Sequence, residues 1–218
     1  MCKPARLAGL VSMVVFLAVG GIAQAGFLTD IGGGIAEYTG SLEKTYDEGD
    51  DILAAHVDFA VYAPGDFPGA DDPSPGNEYV YAYQILNMEA STVPVTAFSV
   101  GHEPGAVINN DGYIQDVGSG EVEPDISGVG SSSTQWIWGL LGGEEIDPTE
   151  RSSILLYTSP DGPQWDTATM LNGGVPMPVG VLPSPVPEPA TIALMATGLA
   201  LVGIGRARGR RGSPSPSA

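Results

Sequence analysis

Cysteine is almost missing: the 218-residue chain has one, Cys2, near its N-terminus. A single thiol forms no intrachain disulfide and no C-x-x-C redox pair, so stability has to come from a core. Histidine is nearly as scarce, with only His56 and His102. No His-Glu-x-x-His, Gly-x-Ser-x-Gly or phosphate-binding loop occurs, which leaves zinc, serine-nucleophile and nucleotide machineries without support. Basic residues number eight, and between residues 26 and 186 only Lys44 and Arg151 face 25 acidic residues, a net charge of −23. Such a field repels phosphate backbones and excludes nucleic acid as a partner. Few Lys and Arg beside 31 Gly and 19 Pro argue against long exposed helices and for short strands joined by turns. The 43% of hydrophobic residues suffices for one core.

Both termini carry apolar segments with basic flanks. Lys3 and Arg6 precede an apolar run over residues 7–22, and Ala23-Gln24-Ala25 follows it. The small residues Ala23 and Ala25 predict a signal peptide over residues 1–25, cut after Ala25 by signal peptidase. Cys2 precedes the run and so does not mark a lipoprotein. At the other end, prolines crowd residues 176–185, then come Pro187-Glu188-Pro189, an apolar segment over 190–205, and Arg206, Arg208, Arg210 and Arg211. Sixteen helical residues rise ~24 Å at ~1.5 Å each, a short or tilted transmembrane helix against a hydrocarbon core of about 30 Å. The four arginines keep residues 206–218 cytoplasmic and leave the acidic region outside.

The tripartite order of residues 186–211 resembles the PEP-CTERM sorting signal of exported bacterial proteins. The resemblance implies that Pro187, Glu188 and Pro189 are read by a membrane-embedded, cysteine transpeptidase-like sorting enzyme, an exosortase. It implies a protein first anchored in the membrane through its C-terminal helix and then placed at the cell surface or outside the cell. The segments 78–87, 136–138, 153–160 and 162–163 look like the passenger domains that precede such tails, which mostly lack an assigned activity.

Between the signals, periodicity predicts strands. Over residues 52–62, Leu53, Ala55, Val57, Phe59 and Val61 alternate with Ala54, His56, Asp58, Ala60 and Tyr62, and the first set is expected to face the core. Residues 79–86 are apolar on both faces, as in a central strand, and residues 93–100 are expected to pair with them. Shorter candidates are 27–31, 106–108, 134–141 and 152–158. Six to eight strands predict an all-β, antiparallel β-sandwich over residues 26–182, followed by a Pro-rich linker with the triplet over 183–189.

Within this region no residue is expected to be catalytic, no cofactor is called for and no metal ligand is assigned. His56 falls on the face opposite the core and His102 at a strand end, in a turn. Adjacent carboxylates such as Glu144-Glu145 and Asp71-Asp72 do not by themselves make glycosidase geometry. Residues 47–51 and 66–78 concentrate oxygen ligands without the spacing of an EF-hand. Trp136 and Trp138 share one strand face and are either core residues or a platform for sugar rings, with Trp165 in a later loop. The expected role is that of a non-enzymatic surface or extracellular-matrix protein, whose partners are signal peptidase, the sorting enzyme, the membrane and possible exopolysaccharide. The alternatives are a carbohydrate- or Ca²⁺-binding module of the extracellular polysaccharide layer and a secreted carboxylate-dependent hydrolase.

Overall fold

The computed structural model describes residues 28, 32–68, 72–74, 76–114 and 121–187. The signal peptide with Ala23 and Ala25, the candidate strand at 27–31 apart from Leu28, and everything from Glu188 through Pro189, residues 190–205 and Arg206, Arg208, Arg210 and Arg211 lie outside the described residues. Among the described residues no helix is long and apolar enough to cross a membrane.

The described residues form twelve strands: β1 Thr39–Glu48, β2 Asp51–Tyr62, β3 Tyr79–Asn87, β4 Ala97–Gly101, β5 Asn109–Ile114, β6 Glu121–Val122, β7 Ile126–Val129, β8 Ser133–Ile137, β9 Arg151–Ser152, β10 Ile154–Ser159, β11 Pro163–Asn172 and β12 Val175–Pro185. One sheet runs β1-β2-β3-β10-β5 in space, with β9 pairing β3 and β6, and the other runs β12-β11-β4-β8-β7. All pairs are antiparallel except β6 with β9, which is parallel and makes the first sheet mixed. One core cluster draws on both sheets: Val57, Tyr83, Ile85 and Tyr157 from the first, Phe98, Val100, Trp136, Met170 and Val179 from the second.

β2 keeps the alternation of its sequence. Leu53, Ala55, Val57, Phe59 and Val61 all join that shared core. The opposite face is not solvated, however, because Ala60 and Tyr62 join Leu28, Val80, Ala82 and Ile154 in a second buried cluster backed by Phe67. β3 is central, between β2 and β10, and is buried over most of its length, as its two apolar faces predict.

The expected pairing of residues 93–100 with β3 is wrong. After Asn87 the chain crosses to the other sheet, where β4 pairs with β8 and β11. Asn87 helps to hold the crossing, its Nδ2 donating to Val93 O at 3.0 Å and Ile146 O at 2.8 Å. Phe98 then meets Tyr83 from across the core, ring centroids 5.9 Å apart. Alternation sets which side chains point toward the core and not which of the two sheets they point from. Two shorter candidates shift as well: residues 106–108 are not a strand, β5 beginning at Asn109, and the strand expected over 134–141 ends at Ile137 before a 3-10 turn at Leu140–Gly142.

The Pro-rich linker expected from residue 183 begins instead inside the edge strand β12, eleven residues long and buried from Leu182 to Pro185. Its four prolines explain how. Gly162 O accepts from Val186 N–H and Leu171 O from Thr96 N–H, so even-numbered residues of β11 turn their backbone groups toward β12 and odd-numbered ones toward β4. The partners of Pro176, Pro178, Pro183 and Pro185 are Leu171, Thr169, Trp165 and Pro163, all odd. Each proline therefore sits where its missing N–H would point away from β11, at the outer edge, the one place in a sheet that tolerates it. The change from even to odd proline numbering is absorbed by a one-residue register shift around Val179. Gly180 makes that shift possible: its φ is +146°, and a Cβ there would lie 3.0 Å from Leu42 Cδ2.

This edge cannot donate at four positions, which blunts it against recruiting another strand. Replacing Pro176 and Pro178 together by threonine restores two outward donors on a β-favouring backbone. We expect the doubly substituted fragment 26–187 to sediment as larger species than the native fragment at equal concentration; identical sedimentation profiles would contradict the role of these prolines.

Candidate sorting site at the end of the last strand

The triplet expected at residues 187–189 begins two residues beyond the last strand, and the root of that strand is fastened to the core. Tyr83 O–H donates to Pro183 O, and its oxygen lies 3.0 Å from the Tyr157 hydroxyl. Ser184 Oγ donates to Gly101 O at 2.5 Å, tying β12 to the end of β4, and Ser184 is wholly buried. Val186 N–H donates to Gly162 O at 3.1 Å. The loop that supplies this acceptor is itself held: Tyr81 O–H donates to Asp161 O at 2.8 Å, Asp161 N–H to Ser159 Oγ at 3.0 Å, and Val107 N–H to Asp161 Oδ2 at 2.9 Å.

The chemistry of the anchor follows from its burial. Loss of solvent pushes the Tyr83 phenol well above its ordinary pKa, with the neighbouring Tyr157 adding to the rise. Burial likewise raises the Tyr157 phenol. Both phenols stay neutral at neutral pH, so Tyr83 keeps the proton that it donates to Pro183 O.

Period-two reasoning had no access to this anchor. Ser184 stands between two prolines and Tyr83 is one aromatic among several. The available signal was the odd phase shared by Pro183 and Pro185, which marks a strand edge, with Ser184 between them turned inward.

The other candidate residues are dispersed. Trp136 and Trp138 do share one face of β8 and its continuation, but both are buried, with Trp136 Nε1 donating to Gly112 O at 2.9 Å and Trp138 Nε1 to Val122 O at 3.3 Å. The sugar-stacking assignment for this pair is thereby corrected, since neither ring face reaches the surface. Trp165 lies on β11 rather than in a loop and is 45% exposed, its ring against Tyr38 and Phe59 at 5.5 and 5.7 Å. His56 is on the face away from the main core, paired across β1 and β2 with Glu43 at 3.1 Å and along β2 with the buried Asp58 at 3.0 Å. His102 is buried beside the end of β4, its backbone N–H donating to Ser132 O.

The acidic loops use several carboxylates as local acceptors. Asp47 Oδ1 accepts from Gly49 N–H at 2.9 Å in the two-residue β1–β2 turn, and Asp72 Oδ1 accepts from Ser74 N–H and Oγ at 2.8 and 2.7 Å. Glu78 accepts from Asn109 Nδ2 and Thr158 Oγ1. Arg151 Nη2 lies 3.5 Å from Glu121 Oε1, an ion pair joining β6 to β9. Among the described residues no group of three or more His, Cys, Asp or Glu side chains is gathered around one point where a metal ion would sit.

No curated protein and no solved structure matches the chain. A family model does match, over residues 185–211, which begins at the final residue of β12 and takes in the triplet, the apolar segment and the arginines. The chain carries a PEP-CTERM protein-sorting motif joined without a spacer to an all-β domain, as in a substrate of an exosortase.

Proposed function

We propose that this protein is an exported, non-enzymatic component of the cell surface or extracellular matrix. Its β domain, two sheets around one core in the manner of a β-sandwich, is the delivered cargo, and the tail is its address. The observation that carries the reading is the continuity of a folded, acidic domain with a complete sorting motif at residues 185–211. Such a motif implies export and membrane-associated sorting, so the domain acts beyond the inner membrane. A structural or interaction role is supported by what the side chains do: the carboxylates described above cap turns and hold strands, and the two histidines sit in separate places, His56 between carboxylates and His102 buried beside the end of β4.

Glu188→Ala tests the reading. The apolar segment 190–205 and the arginines still supply a span and its orientation, so export and insertion persist. Glu188 is the only acidic residue after Asp166, and an enzyme that reads the triplet loses a charged contact. We expect uncut precursor to accumulate in the membrane fraction of a host with the sorting enzyme, seen by immunoblot. An unchanged split between membrane and released fractions removes sorting from the function.

A further inference from the structure

The anchor around Pro183, Ser184 and Val186 constrains how the triplet can be taken up, an inference that rests on the sorting reading above. Glu188 is three residues past Pro185, so it lies within about 11 Å of the end of the β11–β12 ladder even with the chain fully extended. A helix with its side chains is itself about 10 Å across. Any element of the enzyme that grips the triplet from its upstream side must therefore occupy the space of the domain rim, where Gly162 and Pro163 stand beside β12.

We propose that Tyr83 and Ser184 are positioning residues for tail processing. They hold the chain through Val186 inside the fold, and the sorting enzyme engages a productive length of chain only when this strand end opens. Three hydrogen bonds close it: Tyr83 O–H to Pro183 O, Ser184 Oγ to Gly101 O, and Val186 N–H to Gly162 O. The burial of Leu182, Pro183, Ser184 and Pro185 adds to them. A substrate whose competent state is a minor local opening binds with an affinity reduced by the open fraction, and processing slows in proportion. In the cut itself a peptide C–N bond of the tail breaks. The acyl carbon stays with the β domain and takes the hydroxyl of water or the nitrogen of an amine acceptor, and the leaving nitrogen departs with the apolar segment, carrying the proton that the water or amine gives up.

The decisive variant leaves the domain untouched: a flexible spacer of Gly and Ser inserted between Val186 and Pro187 in the full-length chain. It moves the triplet away from the rim while every anchor contact remains. In pulse-chase immunoblots of a host with the sorting enzyme we expect precursor to disappear about fivefold faster or more, the scale of losing one or two ordinary hydrogen bonds from a closed state. Tyr83→Phe combined with Ser184→Ala opens the root instead, and should speed processing while the spacer variant, which has no reason to be unstable, controls for loss of fold. An unchanged or slower rate in the spacer variant overturns the inference. Residues 186–218 fused to an unrelated exported carrier separate this from the sorting reading: a carrier cut at the wild-type rate or faster upholds sorting whatever the spacer does, and an uncut carrier overturns both.

Discussion

Trp136→Ala will remove a large share of the stability of the β domain. The ring is fully buried and nearly parallel to Phe98 and Tyr157, with centroids at 5.9 and 6.2 Å, and tilted against Tyr83 at 6.1 Å. Tyr83 and Tyr157 belong to the first sheet and Phe98 to the second, so this one side chain fills the space between them. Its Nε1 also donates to Gly112 O on β5, a hydrogen bond from one sheet to the other. Truncating such a ring to Ala costs about 3–5 kcal/mol, the lost transfer energy plus the cavity left behind. Domains of this size have only about 5–15 kcal/mol in total. A fall in melting temperature of about 6–20 °C follows, at ~2–4 °C per kcal/mol. Trp136→Phe keeps much of the volume and leaves Gly112 O without its donor, so it should fall between native and Ala. Far-UV circular dichroism of fragment 26–187 measures all three. A Trp136→Ala melt within about 2 °C of native would mean that the ring does not bridge the sheets.

The second large effect is alkaline unfolding. Burial pushes the Tyr62 phenol up to about 12, and it also raises Tyr81, Tyr83 and Tyr157, with the Tyr157 charge adding to the rise at Tyr81 and Tyr83. In the unfolded chain all four return to about 10. Below that pH both states hold the four protons and the stability is complete. Above it the unfolded chain releases protons that the folded chain keeps, so unfolding becomes easier with each step in pH. The slope is about 1.4 kcal/mol per pH unit for each phenol, or roughly 5 kcal/mol per unit for four between pH ~10 and ~12. Urea midpoints should hold steady to about pH 9.5 and then collapse, with tyrosinate absorbance rising in the same transition rather than before it. Tyr62→Phe isolates one contribution. Its hydroxyl is buried with no partner among the described residues, so removing it leaves neutral-pH stability equal or higher and cuts the alkaline slope by about a quarter. Phenol titration well ahead of unfolding would show that these rings are reached by water in the native state.

The two effects share Tyr83 and Tyr157, and Tyr83 is also where the end of the last strand is fastened. Tyr83 packs in the core against Phe98, Trp136 and Tyr157 and at the same time donates to Pro183 O. Core packing and the presentation of the tail are thus joined through one side chain. A core variant that loosens Tyr83 should alter the release of the tail even where the triplet is intact.

What the sequence by itself determined is what depends on neighbours along the chain. A sorting enzyme reads a contiguous segment, so Pro187, Glu188, Pro189, the apolar run and the arginines were legible in order, and the family match covers the same residues. Strand periodicity is equally local: the side chains of β2 and β3 alternate because the backbone pleats every two residues, whatever lies beside it. Tertiary structure decided everything that needs a partner. A strand's hydrogen bonds go to chain segments far away in sequence, so alternation placed Phe98 and Val100 inward without saying that β4 belongs to the second sheet. The same alternation put Trp136 and Trp138 on one face and left open whether that face met water or the other sheet, until Tyr83 and Tyr157 closed over Trp136. The prolines of β12 read locally as breakers because each lacks an N–H. Only the presence of β11 on one side and of no described strand on the other turned that lack into a strand edge, and gave the sorting motif a fixed root.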